Sequence, residues 1–397
     1  MGVLAAATML AWCAQASAQE PLDETRFLQL QACLDLPGEQ RLACVEPLVG
    51  ELPPTIARGF REQADPAWRA MVERQAQAWD EAMSRHAHAL AAAGGARNLA
   101  AAALLLPDQR PVPWERPQDR PRVDVAAAWY AQAQAQGADD ALLVQIDLSA
   151  CEEFRTDCPP WPERVGRAIA LAPGEGAHRL MALGVAARQD NADEMRAHLA
   201  AAARSPDLDH GAYGFLRFMA NATQAMAPPE FAFSEEERRA FPDFVREQGD
   251  NGEGYPATWI LGRWSAFVGP SPKALFQTCG FGPGALEVDA ATRADCIAVL
   301  SRIVDEMPTM LGNMIALPRL VELSEGSDRQ EYWRERQRRF AWLRSQAYPL
   351  HAQPPMLPVA EHFELLLESG EVAAVEAGLR RAGIDPEPPA GWQPAEE

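Results

Sequence analysis

From Pro66 to Gly95 the chain reads PAWRAMVERQAQAWDEAMSRHAHALAAAGG, and residues 67 to 93 contain neither proline nor glycine. Trp68, Met71, Val72, Ala76, Trp79, Met83 and Leu90 fall near one face at helical spacing, and Gly94-Gly95 stops the run. A stretch of this period cannot settle as a half-buried strand, which needs alternation. The same rhythm recurs at 23–35, 39–49, 96–106, 123–154, 257–269, 289–307 and 330–348, and long runs of Val, Ile and Thr are missing. Alanine, the strongest helix former, dominates the apolar residues. The expected fold is all-α, built of stacked antiparallel helical hairpins in a solenoid-like or irregular array. A kink or break is expected before Pro318, where the ring removes a helical donor.

The cysteines fix how such an array is held. Residues 1–18, MGVLAAATMLAWCAQASA, carry no charge and end in Ala16-Ser17-Ala18, which reads as a signal peptide cleaved after Ala18. Leu10 and Ala11 before Cys13 give a minor lipoprotein alternative, against which Trp12 stands where a small residue belongs. Without Cys13, seven cysteines become six: Cys33, Cys44, Cys151, Cys158, Cys279 and Cys296. No short C-x₂₋₄-C unit with companion ligands suggests zinc, and no C-x-x-C suggests a redox site. Six cysteines allow fifteen connectivities, and the preferred reading is three local disulfides, 33–44, 151–158 and 279–296, in an oxidising compartment. No other run is long and apolar enough to span a bilayer. The expected localisation is periplasmic or secreted.

Along the chain this gives an N-terminal helical region at 19–106, a proline-rich linker at 107–121, a helical-repeat region at 122–226, a C-terminal helical region at 227–386 and a disordered tail at 387–397. The linker holds five prolines in PDQRPVPWERPQDRP, too many for a helix. Between Arg167 and Asp207, two helical segments of similar length turn at Gln189-Asp190-Asn191, with Asn191 and Glu194 spaced as a variant capping box. Ala168-Ile169 before Pro173, the Leu183-Gly184 pair, and small Ala200 and Ala203 complete the pattern. The segment 165–207 resembles a tetratricopeptide repeat, and 360–386, turning at Ser369-Gly370, is a second candidate hairpin of this kind. The resemblance implies an α-solenoid architecture and names no partner.

Charge narrows the partners. With 56 acidic against 36 basic residues the formal net charge is −20, which opposes nucleic acid and anionic lipid. Lys273 is the one lysine, a bias read as codon usage in a GC-rich bacterial genome. His86 and His88 point about 200° apart on a helix and read as ordinary histidines rather than metal ligands. Asp250-Asn251-Gly252-Glu253-Gly254 lacks the spacing of a calcium loop and reads as a polar turn. The arginines at 334, 336, 338, 339 and 344 are expected to pair with acidic neighbours, and Trp259, Trp264, Phe267, Met310 and Met314 to be core. Nucleophile motifs and phosphate-cradling loops are absent from the sequence.

No cofactor, metal or catalytic residue is assigned. The leading expectation is a non-enzymatic interaction or scaffold module whose partner is a protein of the cell envelope. The alternatives are a cell-envelope hydrolase acting through a carboxylate pair and a hydrophobic-ligand carrier with a cavity behind Trp259 and Trp264.

Overall fold

The computed structural model describes residues 24–37, 40–50, 52, 54–106, 124–155, 157–208, 212–265, 271–306, 309–350 and 357–394. The leader 1–18 with Cys13, the proline-rich segment 107–121 and Phe267 lie outside them. Among the described residues there are twenty α-helices and no strand, so the all-α expectation holds. None of these helices is long and apolar enough to cross a membrane.

Helices α1 (Glu24–Leu34), α2 (Gln40–Val49) and α3 (Pro54–Ala64) share a small apolar centre that includes Leu30, Leu34, Val45, Val49 and Phe60. Cys33 and Cys44 are disulfide-bonded across the first turn. Asp65 then opens α4 (Pro66–Ala93), accepting a hydrogen bond from the Ala67 amide at 2.7 Å, while Pro66 sits where no helical donor is lost. Trp68, Met71, Val72, Trp79 and Met83 are buried on the face read from sequence, and Ala76 and Leu90 are half-buried. Gly94 and Gly95 have φ of 72° and 86°, a left-handed pair that reverses the chain at once into α5 (Ala96–Leu105). Every residue of α5 from Leu99 to Leu105 is buried. Its alanines leave a narrow helix that α4 and α6 (Asp124–Gln136) can both approach.

α7 (Ala141–Phe154) is buried around its circumference, Leu143 to Leu148 without interruption. Two of those residues, Gln145 and Asp147, are polar and are met by His178 and Tyr130 respectively. Cys151 is bridged to Cys158 ahead of α8 (Trp161–Leu171), and α8 leads to α9 (Gly176–Arg188) and α10 (Ala192–Arg204). α9 and α10 form the most extensive helix pair among the described residues. α11 (Ala212–Thr223), the short α12 (Glu235–Ala240) and α13 (Pro242–Gln248), and α14 (Tyr255–Ser265) follow. α15 (Pro272–Thr278) is joined by the Cys279–Cys296 disulfide to α16 (Ala290–Glu306). The last helices are α17 (Met310–Leu323), α18 (Gln330–Leu350), α19 (Val359–Ser369) and α20 (Glu371–Arg381).

Helix contacts run from α4 through each successor to α10, pass to α16, α17, α18 and α20, and return through α19 and α14 to α4. The array therefore closes on itself, with α11 packed against α5, α7, α14 and α19. Two large apolar cores result. One lies among α9, α10 and α15 to α18, the other among α5, α6, α7, α11 and α14, and α20 contributes to both through Leu379 and Ala374.

Two local expectations change. α17 continues through Pro318. The lost donor costs about 3 kcal/mol, and burial of Leu317 and Leu320 at roughly 1.5–3 kcal/mol each against α16 and α18 offsets it. The segment read as a disordered tail packs back as far as residue 394. Trp392 meets Trp342 edge to face at 5.3 Å, its carbonyl accepts from Arg338 at 3.2 Å, and Glu387 pairs with Arg339.

Candidate functional site

The cysteine-bridged loop after α15 and the turn between α9 and α10 come together although some ninety positions separate them in sequence. Between them lies a half-open cavity of about 510 Å³. α9 supplies Gly184 and Arg188, the turn Asp190, α10 Met195, and α15 Lys273 and Ala274, with Leu286 from the loop. Gly184 lies close to the start of α15: a Cβ there would make ordinary van der Waals contact with that of Ser271, at 3.5 Å.

Each wall is fixed by local chemistry. Asp190 has φ of 52°, the only non-glycine residue with positive φ among those described, and aspartate tolerates that region better than most residues. The turn is closed by the Asn191 amide donating to the Ala186 carbonyl at 3.1 Å, and Asn191 Oδ1 accepts from the Glu194 amide at 3.3 Å, as its capping role requires. On the opposite wall, the Leu286 amide donates to the Gln277 carbonyl at 2.8 Å and Gln277 Nε2 to the Pro283 carbonyl at 2.9 Å. Cys279 and Cys296 are buried and bridged, tying this wall to the core beneath α16. The floor residues Gly184, Met195 and Ala274 are buried, whereas Arg188, Asp190 and Lys273 stand exposed at the rim.

A second cluster joins the N-terminal helices to α13. Arg58 Nη1 lies 2.8 Å from Asp243 Oδ2 and its Nε 3.8 Å from Glu62, while Arg246 reaches the other Asp243 oxygen at 3.0 Å. Burial pushes the Glu247 carboxyl up to about 7, with Glu62 and Asp243 adding like charge and Arg58 and Arg246 opposing it. Burial likewise raises Glu62.

The residues singled out in sequence take other places. All six cysteines lie in the three local disulfides. His86 Nε2 is 2.6 Å from the Ala222 carbonyl and His88 packs edge-on to Trp129, so the two serve different neighbours. In the 250–254 turn, Asp250 pairs with Arg238 at 3.5 Å and Glu253 accepts from the Asn251 amide at 3.0 Å. Arg334, Arg336, Arg338 and Arg339 pair with Glu331, Asp305, Glu335 and Glu387. Trp259 and Trp264 are half-buried beside the second core, with Arg263 over the Trp259 ring.

Sequence reading missed both the cavity and the carboxylate cluster. The α9–α10 turn and the 279–296 loop were each visible, but nothing local says that they face one another. Comparison with protein-family models, with curated proteins and with solved structures gave no match in any of the three.

Proposed function

We propose that the chain is an exported, non-enzymatic interaction module of the bacterial cell envelope, with the cavity between α9, α10 and α15 as its recognition site. The preformed geometry of that cavity carries the reading: a helical hairpin forms one wall and a disulfide-tied loop the other, so little ordering entropy is lost on binding. The α9–α10 hairpin is taken as a tetratricopeptide-like unit, a type of element that commonly serves recognition. Export through the leader 1–18 and residence in the periplasm are supported by three disulfides, which persist in oxidising compartments. The partner is taken to be a component of the envelope.

The test is site-specific photocrosslinking in intact cells, with the probe at Gln277 on the cavity wall and, as control, at exposed Glu364 on α19. A defined adduct from Gln277 alone is expected. Equal adducts from both positions, or none from Gln277, would overturn the assignment.

One observation favours a second reading, the hydrolase. Glu247, whose carboxyl is pushed up to about 7 by burial beside Asp243 and Glu62 and so keeps its proton below neutral pH, has the character of a general acid with carboxylate neighbours. Loss of cell-wall hydrolysis in Glu247→Gln, with the fold intact, would establish it.

A further inference from the structure

The cavity rim carries a charge pattern opposite to that of the chain as a whole. The protein has a formal net charge of −20, yet two cations, Arg188 and Lys273, face this cavity with one carboxylate, Asp190. No hydrogen bond or ion pair links the side chains of these three to one another or to any other described residue. Elsewhere many arginines are neutralised in place, as at Arg97–Asp140, Arg263–Glu153 and Arg302–Glu306. Beneath the rim the surface changes character, for Gly184, Met195 and Ala274 form an apolar, buried floor. Charge stands at the mouth and hydrocarbon at the base.

We propose that this cavity binds a small organic monocarboxylate with an apolar body, an inference that rests on the cavity being the recognition site. The apolar body lies on the floor formed by Gly184, Met195 and Ala274 and against Leu286 of the wall, where leaving water contributes about 25 cal/mol for each Å² covered. The carboxylate remains at the rim and accepts charge-assisted hydrogen bonds from Arg188 and Lys273, which have no competing carboxylate partner among the described residues. Asp190 sets the charge limit, because a second negative group beside the carboxylate at the rim would face it. Inorganic phosphate fails on two counts: it has nothing to place on the floor, and its second charge meets Asp190. A neutral alcohol of the same shape satisfies the floor and leaves both cations unused. The volume, about 510 Å³, falls within the range of small-molecule sites.

Lys273, as the only lysine, provides a direct reporter. Reductive methylation of the full-length folded protein with ¹³C-formaldehyde yields one lysine side-chain signal by NMR, distinct from that of the terminal amine. Titration with octanoate should move the Lys273 signal saturably, whereas octanol and inorganic phosphate at equal concentration should not. Arg188→Gln should weaken octanoate about tenfold, the loss of one charge-assisted contact. Asp190→Asn should leave octanoate binding in place and admit hexylmalonate, whose two carboxylates share one carbon and which the wild type rejects. The proposal is overturned if octanoate gives no saturable shift, if octanol binds as tightly, or if Arg188→Gln changes nothing. Both substitutions are at exposed rim positions, and an unchanged amide spectrum confirms that each variant is folded. Failure of octanoate alongside a retained Gln277 crosslink refutes the ligand chemistry and leaves the recognition reading standing. Octanoate binding with no crosslink does the reverse.

Discussion

Tyr130 donates its hydroxyl to Asp147 Oδ1 at 2.8 Å between α6 and α7, and both side chains are buried, Tyr130 completely. Burial and the facing carboxylate push the Tyr130 hydroxyl well above the ordinary tyrosine range, so it remains a donor at any physiological pH. The contact answers a problem set by α7, a helix buried on all sides that nevertheless carries Asp147 and Gln145. Tyr130→Phe leaves the Asp147 carboxyl buried without this donor and should cost about 2–4 kcal/mol in urea unfolding. Adding Asp147→Leu to that variant should recover part of the loss. A Tyr130→Phe cost below 0.5 kcal/mol would show that Asp147 is satisfied otherwise.

Burial at Glu247 has a consequence with a definite sign. Its folded pKa lies near 7, above the usual carboxylate value of 4.5, so between those values the folded state holds a proton that the unfolded chain releases. The stability this contributes is fully present below about pH 4.5 and is lost as pH rises through 7. Glu247→Gln keeps the neutral form at every pH. The difference in unfolding free energy between variant and wild type should therefore grow in the variant's favour from pH 5 to pH 8. Parallel curves across that range would place Glu247 in contact with water. Comparing the two proteins pH by pH removes the contributions of Asp80 and Glu371, which are also raised and do not face Glu247.

The individual helices and the disulfides were legible in the sequence because both are local. Trp68, Met71 and Trp79 announce one buried face through their spacing alone, and the cysteines lie close enough in sequence for their loops to suggest pairing. Two kinds of feature were not legible. One is a local rule overruled by packing, as where α17 runs through Pro318 or where Trp392 finds Trp342 and orders a proline-rich tail. The other is long-range juxtaposition. Glu247 reads as a surface glutamate until Arg58 and Glu62 arrive from the N-terminal helices, and Lys273 is unremarkable until the α9–α10 turn places Arg188 and Asp190 across from it. Helical periodicity specifies which face is buried and is silent on which helix buries it.

Gly252 shows how tightly the 250–254 turn is seated against α4. It has φ of 68°, and a Cβ there would lie 2.8 Å from Gln75 Nε2 and 3.1 Å from Trp79 Nε1. Gln75 cannot readily yield, since its amide donates to Gln248 Oε1 at 3.1 Å within a buried pair. Gly252→Ala thus combines backbone strain with a steric conflict against a hydrogen-bonded neighbour, and should destabilise by about 2–4 kcal/mol. Gly262→Ala on α14, where a Cβ meets nothing within 4 Å, should be neutral or slightly stabilising. Thermal unfolding of the two variants checks the contrast, and equal effects would mean that the turn does not hold this position in solution.

The Cys279–Cys296 bridge should matter to binding as well as to stability. It closes a loop with a sequence separation of 17 and joins buried Cys279, at the end of the helix that carries Lys273 and Gln277, to buried Cys296 of α16. On chain entropy alone a loop of this size stabilises by about 3 kcal/mol. Replacing both cysteines by alanine should therefore lower the unfolding free energy by roughly that amount and leave the helices in place. The wall it anchors would still have the Leu286–Gln277 and Gln277–Pro283 hydrogen bonds but would lose its covalent tie to the core. Octanoate affinity at the Lys273 reporter should then fall more than in the Cys33–Cys44 double alanine variant, whose bridge lies in the N-terminal apolar cluster away from the cavity residues. Non-reducing peptide mapping of the wild type should recover the 33–44, 151–158 and 279–296 pairs, which makes the two double variants interpretable. Equal affinities in both would mean that the cavity wall is held by its hydrogen bonds alone.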